Sequence, residues 1–452
     1  MCVGACLFAL VLIPVGFRAL PEDIQAGIAR RIPIMVAFLP GTATPDPTIT
    51  ALEVVPTLDP ARATAAAQLF GGQGAPALGS SPFPTPIPSN NLRATALLGP
   101  TVAPTITPTR RPTATAEALP VRFHVGNIQR EPQAFNNCGP ANLVQAFRVV
   151  GVPLNQKTAA GWLKPTEKDA NVSPWQMAAY TNDHSGSGLR AIVRVNGTID
   201  LMKRLTYNGF GVVAETGLYH PQDRQWLGHY ITLVGWDDVG DAGKGGYLYG
   251  LDSFESNGPD GKGIHEYYAD FDERWKHFNR LYIVVYRPEQ EGKLRALMGD
   301  DFEERLNIEG ALIRAFGETK LNPADPFAWF NVGTNYVMLG NYEQAARAYD
   351  LSRSVGGGWP WRMMWYQFGP YKAYFETGDY KSIIDLSNAV IKRMPTIEES
   401  FYYRGLAYAA QGDRAKAEAD LQVAVKVNTN FDPAAIALAE VQSGNVPRPA
   451  TL

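Results

Sequence analysis

Gln133-Ala134-Phe135-Asn136-Asn137-Cys138-Gly139-Pro140 places a cysteine at the mouth of a helix, and its reading decides the rest. Pro140 suits a first helical turn, where its missing N–H costs nothing and its φ is already set. Leu143, Val144, Phe147 and Val150 then share one face, so a helix is expected to begin at Pro140, with Cys138 at or just before its N-terminus. At such an N-terminus the free N–H groups and the helix dipole favour an anion, and a thiolate can supply it. The other two cysteines, Cys2 and Cys6, lie in an N-terminal apolar run and give Cys138 no disulfide partner. A lone cysteine can be a small buried hydrophobe; the Gly139-Pro140 context points instead to a thiol that is used.

A cysteine nucleophile needs a base and donors for the oxyanion of acyl transfer. Six histidines are available, and His229 is placed best, in Gly228-His229-Tyr230-Ile231-Thr232-Leu233-Val234-Gly235-Trp236, at the start of a strand that reads as buried. The next strand ends in Gly250-Leu251-Asp252-Ser253, so Asp252 can hold the second imidazole nitrogen and fix its tautomer. Gln133 is the candidate oxyanion donor together with the Cys138 N–H, and Gln129 is the alternative. Each has a plainer reading: His229 as a core histidine, Asp252 as the start of a turn, Gln133 as a loop residue. Neither the stretch from Asp237 to Gly246 nor that from Asn257 to Gly263 has the ligand periodicity of a calcium loop, so both are read as hairpin connections and no metal or cofactor is expected.

With Gln133, Asn136-Asn137-Cys138-Gly139-Pro140, Gly228-His229-Tyr230 and Leu251-Asp252-Ser253 in that order, the segment 121–290 resembles the bacterial peptidase C39-like proteins. The resemblance implies a papain-like α+β fold, a catalytic triad of Cys138, His229 and Asp252, and Gln133 in the oxyanion hole. Family members that cut leaders after a double glycine precede a transporter. None follows in this chain, so that substrate is not carried over.

Beyond residue 290 the chain turns helical, and Leu339-Gly340-Asn341-Tyr342, Thr377-Gly378-Asp379-Tyr380 and Gln411-Gly412-Asp413-Arg414 echo one another with glycines 38 and 34 residues apart. A tetratricopeptide unit has a period of about 34 residues. Trp329, Gly333, Tyr336, Ala345 and Tyr349 fill its alternating large and small positions, as do Phe401, Gly405, Tyr408, Ala417, Leu421 and Ala424. The middle unit, with Tyr371 at a small position, is degenerate. The segment 291–445 is therefore expected to be an all-α tetratricopeptide-like domain that binds a protein partner.

Residues 1–20 hold the apolar run, an export signal or membrane anchor that lacks a basic leader and a clear cleavage site, which also leaves room for a start farther upstream. Residues 21–120 are a Pro/Thr-rich spacer that cannot bury enough apolar area to order itself. The spacer outweighs the inward-pointing signal of Arg18, Arg30 and Arg31, and places the remainder at the cell surface or outside the cell. A formal charge of −3, with 41 basic residues scattered among 44 acidic ones, gives no basic face for nucleic acid. The function expected is that of an anchored or exported cysteine peptidase acting on a peptide or protein. Its rivals are an inactive papain-fold scaffold that binds peptides and an amidase of cell-wall peptides.

Overall fold

The computed structural model describes residues 118–166, 169–219, 225–254 and 256–450. The apolar run and the spacer lie outside the described residues. Among those described, no helix is long and apolar enough to cross a membrane. The chain forms an antiparallel sheet with flanking helices, followed by a unit built from many helices.

The sheet has seven strands: β1 (Arg122–His124), β2 (Arg190–Arg194), β3 (Gly211–Tyr219), β4 (Trp226–Asp241), β5 (Gly245–Leu251), β6 (Ile264–Tyr267) and β7 (Tyr282–Tyr286). Their order is β2-β7-β3-β4-β5-β6, and β1 pairs with the far half of β4, beyond the point where β3 ends. The apolar runs at 211–214, 230–236 and 246–251 become strands, as do 191–194 and 282–286 of the runs at 191–195 and 280–286, because each carries β-branched and aromatic residues that a pleated sheet buries. The expected connection from Asp237 to Gly246 is mostly strand: β4 runs to Asp241, pairs across a bulge with β5, and turns only at its tip. The strands β1 and β6 are too short to show a period of their own; pairing with long neighbours creates them.

Helix α1 (Cys138–Val149) lies across β3 and β4, with Leu143, Val144 and Phe147 fully buried. Burying side chains of this size contributes about 2 kcal/mol each. Its approach to the sheet is close: a Cβ on Gly211 of β3 would stand 2.4 Å from the Ala146 carbonyl oxygen, so only glycine lets the helix backbone rest there. Helix α2 (Gln156–Leu163) and helix α3 (Pro174–Ala179), capped by Ser173 and Gln176 in a capping box, close the same side.

In the helical unit, α4 (Pro326–Met338) pairs with α5 (Tyr342–Ser354), and α6 (Glu398–Ala410) pairs with α7 (Arg414–Val427). The small-large reading corresponds to contacts: a Cβ on Gly333 would meet the buried Tyr349 ring at 2.7 Å, and one on Gly405 would meet Leu421 at 2.9 Å. Between these pairs, the helix Gly369–Glu376 carries the buried Tyr371, whose ring stacks at 5.2 Å on that of Tyr403 in α6. Two further helices at Glu304–Leu321 and Asp432–Gln442 flank the pairs.

The two units share one core. At one end of the helical unit, Asn331 Nδ2 donates to the Lys276 carbonyl at 2.8 Å, Lys276 pairs with Asp325 at 2.8 Å, and Phe327 stacks on His277 at 3.7 Å. At the other, Thr166 donates to the Val427 carbonyl and Asn430 Nδ2 donates to that of Trp162 at 2.8 Å. Between them the segment 361–366, inserted where the repeat spacing lengthens, reaches the first residues of β4. The ring of Tyr366 lies 5.8 Å from that of Trp226 and 5.8 Å from that of Phe278, and a Cβ on Gly228 would meet it at 3.1 Å. The strand segment that carries His229 is therefore held from both units.

Candidate active site

Cys138 is the first residue of α1. The turn before it puts Asn136 at φ 54°, a left-handed value that Asn tolerates better than most side chains. Lys164 Nζ donates to the Asn136 carbonyl and to Asn137 Oδ1, both at 3.2 Å, which ties this turn to the end of α2. The thiol is half-buried and free.

His229 projects from β4 beside the Cys138 thiol, close enough for each to act on the ionisation of the other. Its Nε2 lies 3.0 Å from Asp252 Oδ1, which leaves Nδ1 for the sulfur. The carboxylate is buried, and it also accepts the Phe254 N–H at 2.6 Å, while Arg130 Nε donates to the Asp252 carbonyl at 2.7 Å. Both contacts fix the aspartate where β5 ends. The imidazole side chain keeps 12% exposure, so the pair is reachable from solvent. The ring of Phe254, 39% exposed, stands 6.5 Å from the imidazole and forms an apolar wall.

The electrostatics of the pair run in opposite directions. Burial alone raises the Cys138 thiol, but the hydrogen bond and charge of His229, the Tyr230 N–H and the charge of Lys164 together bring it below its ordinary value. Burial alone lowers His229, but Asp252 and the sulfur outweigh it and hold the imidazole well above its usual range. A thiol pulled down beside an imidazole pushed up is the condition for a thiolate–imidazolium pair.

Gln133 is buried in the loop that precedes α1, with its N–H donating to the Ser253 carbonyl at 2.9 Å and its Oε1 accepting from Ser253 Oγ at 2.8 Å. Gln129 is exposed, and its carbonyl accepts from Arg148 Nη1 at 2.8 Å. The structure thus brings Cys138, His229 and Asp252 into one chain of contacts and puts Gln133 beside Ser253, the residue after Asp252. Other histidines serve packing: His277 is stacked on Phe327 and lowered to about 3 by burial, and His265 stacks on Tyr247 at 3.8 Å. Among the described residues, no group of three or more His, Cys, Asp and Glu side chains is arranged to hold a metal ion.

Several residues at the site were not singled out in the sequence. Asn142 and Gln145 follow Cys138 by four and seven positions, on the face that packs against the sheet, and both are fully buried. Polar residues at that spacing on a core-facing stripe were the available signal. Lys164 and Tyr366 reach the site only through tertiary packing, and no local pattern marks them.

No known protein family and no curated protein matches this sequence. Among solved structures, one described as a C39-like peptidase from Bacillus anthracis is 11% identical and covers 37% of this chain and 98% of its own, with a TM-score of 0.28. The structure of MamA is 16% identical and covers 32% of this chain and 84% of its own, also with a TM-score of 0.28. Likenesses so distant leave the site to be read from its own geometry.

Proposed function

We propose that this protein is a thiol hydrolase, a cysteine peptidase of C39-like, papain-type fold whose tetratricopeptide-like helices recruit a peptide or protein substrate. The observation that supports it most is the His229 imidazole, which is hydrogen-bonded to the carboxylate of Asp252 and stands beside the thiol of Cys138 at a helix N-terminus. The thiolate attacks a carbonyl carbon, and the Cys138 N–H and Gln133 amide stabilise the oxyanion. Imidazolium at His229 gives its proton to the departing amine, forming the acyl-enzyme, and then takes a proton from water to release the acid. Asp252 keeps the ring in the tautomer that presents Nδ1 to the sulfur. The apolar run at residues 2–17 and the Pro/Thr-rich spacer support an enzyme anchored at or secreted from the cell surface.

The test is incubation of the full chain with a mixed-sequence peptide library, reading new termini by mass spectrometry. Cleavage that falls by about a thousandfold or more in Cys138→Ser supports the reading. Cleavage that persists in the variant contradicts it, and a wild type that cuts nothing while retaining peptides on a column favours a binding protein.

A further inference from the structure

A side-chain amide donates from one end and accepts from the other, so Gln133 can serve an oxyanion only if its Nε2 end faces the thiol. What sets that direction lies beneath the site, in a run of buried polar side chains that the triad does not use. The backbone N–H of Glu131 donates to Gln145 Oε1 at 2.8 Å. A backbone N–H cannot accept, so the Gln145 amide has one permitted orientation there. Its Nε2 end donates to Asn142 Oδ1 at 3.0 Å and to the Leu251 carbonyl at 3.1 Å. Asn142 Nδ2 then faces the carbonyls of Cys138 at 3.0 Å and Tyr230 at 2.8 Å, and Ser253 Oγ at 3.0 Å. Because Asn142 presents only hydrogens to Ser253, the hydroxyl proton must go elsewhere. It goes to Gln133 Oε1, at 2.8 Å.

We infer that Gln145, Asn142 and Ser253 form a one-way hydrogen-bond chain that holds the Gln133 amide with Oε1 on Ser253, and so leaves its Nε2 end as the one that can donate to an oxyanion. With the Gln133 amide reversed, the fully buried Ser253 hydroxyl would keep a proton without an acceptor. The three are positioning residues, and their role as such rests on the peptidase reading of Cys138. The chain also ties the loop before α1, the helix itself, β4 and the end of β5 into one network. Every element that carries a member of the proposed site is anchored to the same few side chains.

The test uses the full-length protein with isotope-labelled glutamine, in which loss of one side-chain amide signal in Gln133→Ala assigns that of Gln133. In wild type this signal should exchange slowly with water. In Ser253→Ala it should exchange faster, kcat for peptide cleavage should fall about 10–100-fold with KM unchanged, and iodoacetamide should still alkylate Cys138 within about twofold of the wild-type rate, since alkylation forms no oxyanion. Combining Ser253→Ala with Gln133→Ala should cost no more than Gln133→Ala alone. Asn142→Asp, which puts an acceptor where the chain needs a donor, should likewise lower kcat and disturb the Gln133 signal. An unchanged Gln133 signal in Ser253→Ala, multiplied losses in the double variant, or loss of alkylation along with turnover overturns the inference. A protein that cleaves nothing, yet whose Gln133 signal loosens in Ser253→Ala, supports the chain and overturns only the peptidase reading.

Discussion

Replacing His229 with alanine is expected to lower peptide hydrolysis by about a thousandfold or more, because the same ring ionises the thiol and protonates the leaving amine. Burial then acts on Cys138 without its largest counterweight, since the hydrogen bond and charge of His229 come directly after burial among the influences on that thiol. Lys164 and the Tyr230 N–H remain, and they are not proton donors to a leaving group in this arrangement. The loss should appear in kcat, with little change in KM, since the imidazole binds no distant part of the substrate. Steady-state kinetics on the best peptide from the library will show it. A loss of tenfold or less would mean that another group supplies the base.

The second large effect concerns stability. Arg280 is 9% exposed, with Nε 2.6 Å and Nη2 2.8 Å from the Asp272 carboxylate and Nη1 2.7 Å from Glu318 Oε1. Glu318 belongs to the helix Glu304–Leu321, so the guanidinium ties the sheet unit to the helical unit. Its backbone has φ 52°, which disfavours most replacements but suits glycine. Arg280→Gly therefore removes the charge with little backbone strain. It leaves Glu318, with 18% side-chain exposure, without its hydrogen-bonded guanidinium and with only the charges of Lys276 and Arg314 in its favour. Breaking a buried ion pair from one side costs about 3–5 kcal/mol, and the 42% exposure of Asp272 argues for the lower end. Burial already holds Glu318 above its ordinary value even with Arg280 beside it. In the variant it rises further, so the loss should be smaller in acid, where Glu318 is protonated, and should grow as pH rises through its folded value. Urea midpoints of wild type and variant at several pH values will measure this. An unchanged midpoint at neutral pH would contradict a tie between the units.

How far the sequence revealed this arrangement depends on whether the signal was local. Strand segments such as 230–236 of β4 and Tyr282–Tyr286 are readable because β-branched and aromatic residues crowd together where both faces are covered. Cys138 was readable from Gly139-Pro140, and the contact of Gly333 with Tyr349 from the alternation of small and large residues. The strand Ile264–Tyr267 and the helix Tyr268–Lys276 were not read, since each takes its form from a neighbour. The capping box at Ser173 and Gln176 is a local signal, written in the sequence three residues apart. Tyr366 against Gly228 was beyond reach, although the longer of the two repeat spacings marked the place where an insertion leaves the regular pattern. Asn142 and Gln145 fall between these cases: their positions on the core face were visible, but their partners at Ser253 and Leu251 come from a hairpin more than a hundred residues away.

The most direct measurement of the central claim is the rate of iodoacetamide alkylation at Cys138 across pH, in wild type and in His229→Ala. A thiolate held by an imidazolium should alkylate well below the ordinary thiol range of about 8.5, and the profile of the histidine variant should move to higher pH. Peptide cleavage should fall again at high pH, as His229 loses its proton through its raised value, while alkylation does not. A Cys138 that reacts only as an ordinary thiol does, with the same profile in both proteins, would contradict the account.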